Sequence, residues 1–269
     1  MMDLLFLIGD VLPYVTFAVF LGGIIIRTWK WLALPVPTKI MVAPAPLTQP
    51  QVAVRLGSEL LVFRSLMKAD WKLWFGGWLF HVLLGVTVLT HVINIFFPGV
   101  WVSMGYGWYE AAGYAGILFA GMVAFLLLRR IVHPGVRYVS KPSDYGLLLL
   151  LFSVIFLGDY TRNFSGVDVA AVSTYLQGLI SFQPTLPPAN LAFLTHLLLA
   201  QIFLIYLPFS KIVHFVGWVL APTRNQRNDA RARLHVNPWN TTVDIEPWES
   251  YAERYRKQLD ELGPGGERR

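Results

Sequence analysis

The chain has 269 residues, of which 55% are hydrophobic and only 14% charged. A soluble domain carries roughly 25% charged residues, so this composition excludes an ordinary soluble globular protein and indicates a membrane protein. The lack of cysteine excludes disulfides, thiolate-bound iron–sulfur clusters and covalent c-type haem attachment. The net charge of +6 is concentrated in a few segments, so it does not indicate a nucleic-acid-binding protein.

Five apolar segments reach or approach the ~20 residues that a membrane-spanning helix needs at ~1.5 Å per residue, and the fourth is the short one. The first is interrupted by Asp10 and Pro13, and it is expected to be a retained span and not a signal peptide. Backbone polar groups in lipid must be paired internally, so the predicted fold is an all-α membrane protein with a five-helix transmembrane bundle. The predicted spans are about 4–26, 74–97, 109–128, 145–157 and 191–213.

Lysine and arginine are distributed unevenly between the predicted loops. All but one of the 22 lie within 27–72, 129–141 or 211–269, and Arg162 is the exception. Basic loops face the cytoplasm, so we predict an outer N-terminus and a cytoplasmic C-terminus in the cell inner (cytoplasmic) membrane. Residues 1–220 are predicted to form the transmembrane domain, with a cytoplasmic loop at 28–73. Residues 221–269 are predicted to be a cytoplasmic tail that docks a partner.

The polar segments carry weaker patterns. The stretch 35–51 is Pro-rich and is expected to be extended. The stretch after it is expected to be one amphipathic helix on the membrane surface, with an apolar face of Leu56, Leu60, Phe63 and Met67. Near the chain end, 249–262 is predicted to be helical, and docking on a soluble partner or a disordered end both stay open.

Four of the six histidines lie in or at the edge of two apolar spans. His81 and His91 are in the second span, and His196 and His214 are in the fifth. Ionisable groups in a membrane are costly and usually functional, and imidazole is a common axial ligand of haem iron. These four are therefore predicted to bind two haems b, one between each facing pair. The other two histidines lie in a loop and in the tail and are assigned to no metal, namely His133 and His235.

The predicted antiparallel course of spans two and five decides the pairing. His81 and His214 lie nearer the cytoplasmic ends, and His91 and His196 nearer the outer ends. The ten residues between the first two histidines rise ~15 Å, whereas the eighteen between the last two rise ~27 Å on one straight helix. Tilt, different approach angles at the irons, or a bend at Pro208 would absorb the difference. Three glycines flank His81, namely Gly76, Gly77 and Gly85. They either leave room for the flat haem macrocycle or allow close helix packing.

The spacing H-x9-H on one span and H-x17-H on a later span resembles the gamma subunit (cytochrome b) family of respiratory nitrate reductases. The stretches DVLPYVTFAVFLGG, RRIVHP and LPFSKIVH also match that family, and the resemblance covers about residues 5–220. Three further stretches are more similar to a sister branch, the membrane cytochrome of menaquinol-oxidising complexes linked to dissimilatory sulfite reductase. They are SELLVFRSLMKADWKLWFGGWLFH, GDYTRNF and the NPWN and YAERYRKQL segments of the tail.

The resemblance implies two haems b, a menaquinol site near the outer haem and other subunits of a respiratory complex. In the sister branch the partner is a cytoplasmic iron–sulfur protein similar to heterodisulfide reductase. The chain is then an electron-transfer subunit of a quinol:acceptor oxidoreductase, with the terminal acceptor chemistry on another subunit. Nitrate-type subunits use a lysine soon after the second histidine to bind quinol, and this chain has none between His91 and Arg129. The candidates for quinol binding are polar residues on the predicted outer side of the membrane, namely Asn94, Glu110, Asp159, Tyr160 and Arg162.

Alternatives to this reading stay open on the sequence. A nitrate reductase gamma subunit would share the mechanism and differ in the acceptor. A haem-free membrane anchor or transporter would use the histidines for packing or proton relay, although no internal repeat or broken mid-membrane helix is evident. The direction of electron flow is also undecided, and Asp159 and Arg162 have the i, i+3 spacing of a pair that serves only its own helix.

Overall fold

The computed structural model describes residues 2–34, 45–97, 100, 106–229 and 246–262. Five helices in these ranges are long and apolar enough to cross a membrane, which confirms the predicted all-helical, five-span, multi-pass architecture. The spans are α1 (Leu4–Ala33), α4 (Trp71–Phe96), α5 (Tyr106–Val132), α7 (Pro142–Asn163) and α9 (Leu191–Tyr206). The shorter helices are α2 (Gln49–Val62), α3 (Arg64–Ala69), α6 (Pro134–Tyr138), α8 (Val169–Ile180), α10 (His214–Leu220), α11 (Pro222–Asn225), α12 (Trp248–Arg254) and α13 (Arg256–Leu262).

In space the spans follow the order α4, α5, α7, α9, α1, each packed on the next. Helices α4 and α9, both fully described, do not pack on each other along their length, so this arc is open on one side. We call the space between α4 and the α9–α10 segment the cleft. The buried apolar core lies away from it, between α4, α5 and α7, and consists of Leu83, Phe119, Val123, Leu151 and Ile155.

Charged side chains tie the helices together at one end of the bundle, which we call the basic end. The carboxylate of Asp144 in α7 is buried and contacts the Lys211 ammonium at 2.7 Å and the Arg130 guanidinium at 3.5 Å. Arg129 contacts Asp70, which precedes α4, at 3.1 Å. These contacts join α4, α5, α7 and the segment after α9. The opposite end, which carries α8, we call the far end.

The predicted fifth span is not one continuous helix. Helix α9 ends at Tyr206, two single 3₁₀ turns follow, and α10 begins at His214. Pro208 lacks an amide hydrogen, and its ring is incompatible with the preceding helical carbonyl, so the α-helix stops there. The straight helix from His196 to His214, on which the ~27 Å rise was calculated, is therefore not present. Of the three explanations for their unequal spacing, the structure shows the bend at Pro208.

The predicted amphipathic surface helix is also interrupted. Phe63 adopts a left-handed backbone (φ 50°), which separates α2 from α3 and disrupts the proposed single apolar face. Two indole N–H groups satisfy carbonyls at the end of α2: Trp74 donates to Val62 at 2.7 Å and Trp78 to Leu61 at 2.8 Å. The interruption thus replaces helical hydrogen bonds with bonds from the start of α4.

Several other boundaries differ from the prediction. The fourth span is longer than expected, because it begins with Pro142 in its first turn and continues through the polar GDYTRN stretch. The loop expected after it contains the unpredicted apolar helix α8. The predicted tail helix is present as α12 and α13, which are interrupted at Tyr255. Residues 35–44 of the Pro-rich stretch, and His235, lie outside the described residues.

Candidate haem-binding site

The four span histidines lie on the two sides of the cleft. Helix α4 carries His81 and His91, α9 carries His196, and His214 is the first residue of α10. The imidazoles of His81 and His214 approach each other near the basic end. His91 and His196 both lie nearer the far end, on α4 and α9. The structure therefore brings the rings of His81 and His214 together, and the pairing of His91 with His196 stays a prediction.

The pair near the basic end has a separation that suits one metal ion between its rings. The ring centres of His81 and His214 are 6.1 Å apart, and their planes are at 84°. Two imidazoles bound through Nε2 to opposite sides of one metal, with bonds of about 2 Å, have ring centres about 6 Å apart. The residues present thus fit bis-histidine ligation at this pair.

Each of the four imidazoles is oriented by a hydrogen bond from Nδ1 to a backbone carbonyl. A carbonyl oxygen only accepts, so Nδ1 carries the hydrogen and Nε2 of a neutral ring keeps a free lone pair. This second-layer contact is the usual way in which a protein fixes the tautomer and orientation of a metal-binding histidine. The bonds run from His81 to Gly77 (2.6 Å), from His91 to Thr87 (2.7 Å), from His196 to Val154 (2.9 Å) and from His214 to Lys211 (3.1 Å).

His196 is positioned by the neighbouring helix α7. Its Nδ1 donates to Val154 of α7, and its ring lies against Gly158 one turn further on. A Cβ atom added at Gly158 would lie 3.0 Å from Cε1 and 3.3 Å from Nδ1 of the imidazole. The absence of a side chain at Gly158 therefore allows the ring to occupy this position.

His214 is positioned through the ion cluster of the basic end. Its Nδ1 donates to the carbonyl of Lys211, and the ammonium of Lys211 binds both oxygens of Asp144, at 2.7 and 2.8 Å. Ser210 caps the same turn, because its hydroxyl accepts from the N–H of Ile212 at 3.1 Å. Asp144 thereby holds the turn that presents His214 to the cleft.

The glycines near His81 have different surroundings. A Cβ at Gly76 would overlap the Phe125 ring of α5, so this glycine serves helix packing. Gly77 accepts the His81 hydrogen bond, and a Cβ there would meet only Leu66, at 3.8 Å. Gly85 has no atom within 4 Å of an added Cβ. Among the three, Gly85 is the one with open space beside the helix.

The five quinol candidates lie toward the far end, but the described contacts do not gather them around one point. Asp159 packs on Gly116 of α5 and is within electrostatic range of Arg162. Tyr160 is exposed and stacks on Phe164, with ring centres 5.9 Å apart. Glu110 is exposed near the start of α5, and Asn94 is half-buried near the end of α4.

Sequence reasoning missed the residues that position the histidines. Gly158 is a single glycine in an apolar span, where glycine is common, so it carried no signal of its own. Asp144 appeared only as one acidic residue at the start of the fourth span. Its partner Lys211 is distant in sequence, and only the fold shows that the two meet.

Known proteins share both the histidine-bearing region and most of the chain. Residues 63–227, which include all four paired histidines, match the family model described as nitrate reductase gamma subunit. The chain is 29% identical to the "Hdr-like menaquinol oxidoreductase cytochrome b-like subunit" of Archaeoglobus fulgidus, with 94% of this chain and 95% of the relative covered. The protein of the same name from Archaeoglobus profundus is also 29% identical, with 93% and 94% covered.

A second kind of relative is the nitrate reductase gamma chain of Bacillus subtilis. It is 26% identical, and 77% of this chain and 89% of the relative are covered. These relatives confirm the resemblance to both branches that the histidine spacing and the flanking stretches indicated. Because the family match covers more than half of the chain, the chain belongs to the nitrate reductase gamma subunit family.

Proposed function

We propose that this chain is the dihaem cytochrome b subunit of a respiratory complex in the cytoplasmic membrane. It oxidises menaquinol near the far end, which faces outward, and delivers electrons to a cytoplasmic iron–sulfur partner at the basic end. The two Archaeoglobus relatives support this proposal, since both are named as subunits of an Hdr-like menaquinol oxidoreductase. When bound, two haems b supply a pair of one-electron carriers across the membrane.

The observation that carries the proposal is the orientation of the four imidazoles. All four donate Nδ1–H to a carbonyl and keep Nε2 available, and one pair already has the ring separation of axial ligands. A packing histidine would also bond its N–H to a carbonyl, and the His81–His214 ring separation is what favours a shared metal. We assign His81 and His214 to the inner haem, and His91 and His196 to the outer haem.

Quinol oxidation also needs a proton acceptor near the quinol oxygen. Glu110 and Asp159 are the carboxylates among the candidates, and Asn94, Tyr160 and Arg162 offer polar contacts on the same side of the membrane. The positive-inside rule favours a cytoplasmic position for the basic end. At the basic end, the start of the tail contacts the segment that precedes helix α2. The N–H of Asn228 donates to the carbonyl of Pro46 at 2.7 Å.

A second candidate function is that of a nitrate reductase gamma subunit. The Bacillus subtilis relative and the family match favour it, and it uses the same two histidine pairs. It differs in the soluble partner that receives the electrons. The longer coverage by the Archaeoglobus relatives favours the Hdr-like partner. The proposed place in sulfite-linked respiration rests on the resemblance of the GDYTRNF and tail stretches to the sister branch.

The test is a reduced-minus-oxidised visible spectrum of the purified full chain, with pyridine haemochrome quantitation of haem per protein. We expect two haems b in the wild type and one in His91→Ala. The matched control is His133→Ala, which changes a histidine outside the spans and is expected to keep both haems.

A flat spectrum from well-folded wild-type protein would overturn the proposal and favour a haem-free anchor or transporter. Loss of haem from His133→Ala, with none lost from His91→Ala, would overturn the ligand assignment. Circular dichroism and size-exclusion chromatography on each variant separate cofactor loss from misfolding.

A further inference from the structure

Helix α1 contains a buried acidic residue near the far end of the bundle, and the backbone around this residue is unusual. Residues Leu7–Val11 form one π-helical turn, in which the N–H of Leu12 donates to Leu7. Asp10 lies within this turn and is only 8% exposed. Turns of this kind inside α-helices occur frequently at functional sites.

The sequence explains why this turn attracts polar side chains. Pro13 has no N–H to donate to the carbonyl of Gly9. The N–H of Leu12 donates to the carbonyl of Leu7 and not to that of Ile8. The carbonyls of Ile8 and Gly9 therefore lose their helical partners. Two side chains from other helices replace them. Tyr175 of α8 donates to Gly9 at 2.6 Å, and Gln201 of α9 donates to Ile8 at 3.0 Å.

We call this group the α1 polar cluster, defined by Asp10, Tyr175 and Gln201. Two of its buried oxygens have no hydrogen-bond partner: Asp10 Oδ1 and Gln201 Oε1. No described residue forms a salt bridge with Asp10. Oδ1 of an ionised Asp10 and Gln201 Oε1 are both acceptors, and a proton on Asp10 or a bound water supplies the donor that they need.

The polar side chains described around the turn that holds Asp10 are neutral. Tyr14 lies on the same helix and donates to Leu179 at 2.9 Å. Tyr175 faces it from α8, and burial, followed by the charge of Asp10, raises the pKa of that phenol, so Tyr175 stays a neutral donor. Gln201 of α9 binds the same turn through the Ile8 carbonyl and does not titrate. No described cation is therefore paired with Asp10.

We propose that Asp10 is a proton-relay residue that accepts a proton released at the far end when quinol is oxidised and passes it to the outer water. This inference rests on the proposed function. Each menaquinol yields menaquinone, two electrons and two protons. The electrons leave toward the cytoplasmic partner, and the Asp10 carboxylate takes up the two protons one after the other, becoming the carboxylic acid each time and passing each proton to the outer water. Gln201 lies five residues after His196 on α9, so the cluster adjoins the helix that carries an outer histidine.

The test is redox-induced infrared difference spectroscopy of the purified full chain in lipid nanodiscs. We expect a carbonyl-stretch band of a protonated carboxylic acid that changes on reduction in the wild type. Asp10→Asn should lose this band while keeping both haems, and Asp10→Glu should shift its frequency. The control Asp168→Asn removes a carboxylate that caps α8 near the far end, and it should leave the band unchanged.

Distinct outcomes separate the two proposals. Haem-free wild-type protein overturns the proposed function, and with it the relay. Two haems with an identical carboxyl band in wild type, Asp10→Asn and Asp10→Glu overturn the relay alone. If Asp10→Asn does not fold, the Asp10→Glu comparison decides, because an unshifted band excludes Asp10 as its source.

Discussion

The two histidine pairs are held by different kinds of contact. At the basic end, the His81 and His214 rings are 6.1 Å apart, and the turn before His214 is fixed by the buried Asp144–Lys211 contact. At the other pair, His196 is held by α7 through Val154 and Gly158, whereas His91 is exposed and bonded only within its own helix. One pair thus depends on an ion cluster and the other on close helix packing.

This difference predicts which substitutions should weaken haem binding at each pair. Second-layer contacts of a metal ligand typically account for a 10- to 100-fold change in affinity. Removing the Asp144 charge should act on the inner pair alone, and adding volume at Gly158 should act on the outer pair alone. Three substitutions, taken from the largest expected effect to the smallest, test this separation.

The largest effect is expected for Gly158→Leu. The new side chain occupies the position of the His196 imidazole, and overpacking of this kind commonly costs about 1–3 kcal/mol of folding stability. We expect haem per protein to fall from about two to about one, since a displaced second-layer contact weakens ligation by about 10- to 100-fold. Pyridine haemochrome quantitation measures the ratio.

The control is Gly146→Leu on the same helix, where an added Cβ has no atom within 4 Å. It should retain both haems. Combining Gly158→Leu with His91→Ala should cause no further haem loss, because both act on one pair. Additive loss of the second haem would show that the two pairs are not independent.

A smaller effect is expected for Asp144→Asn, made in the His91→Ala background so that only the inner haem remains. The amide loses the charge attraction to Lys211, which loosens the turn that presents His214. We expect haem to dissociate about tenfold faster. Transfer to an excess of a haem-scavenging protein, followed by absorbance, gives the rate.

The smallest effect is expected at the start of α4, the helix shared by both pairs. The Leu73 N–H, and then the Arg129 guanidinium, hold the pKa of Asp70 below its ordinary value of 3.8. The stabilisation from Asp70 is therefore complete above pH 3.8 and is lost as the pH falls through the lower folded-state pKa. Asp70→Asn should lower the thermal midpoint at neutral pH and converge with the wild type in acid.

For Asp70→Asn, the content of the inner haem is compared with that of the outer haem. Because Asp70 caps α4 without contacting a histidine, Asp70→Asn should change both haems equally or not at all. Selective loss of the inner haem from Asp70→Asn would mean that Arg129 and Arg130 act as one unit with Asp144. Melting followed by circular dichroism at neutral and acidic pH, with haem quantitation, covers both readouts.

The spans could be predicted because lipid demands long apolar helices, and each of the five segments meets that demand. Their order in space could not, since faces that meet lipid and faces that meet another helix are equally apolar. Phe63 illustrates a further limit. Its left-handed backbone depends on bonds from Trp74 and Trp78 to the end of α2, and hydrophobic periodicity carries no trace of them.

The candidate ligands were identified from four histidines on two spans, and the structure brings His81 beside His214 as the antiparallel course predicted. The reasoning that used a straight helix from His196 to His214 failed at Pro208, although proline was visible in the sequence. Asp10 was also visible as an interruption in the first span. Its significance depends on Tyr175 and Gln201, which come from two distant helices.

The open side of the helical arc has a consequence for how the subunit is made in the cell. Helix α4 is attached along its length to α5, and no extended packing joins it to α9. If two haems occupy the cleft, each forms a bridge between these helices, and ligand binding to the folded state stabilises that state by mass action. Cofactor supply then sets how much of the newly inserted chain escapes membrane proteolysis, so the abundance of this subunit should follow the iron nutrition of the cell.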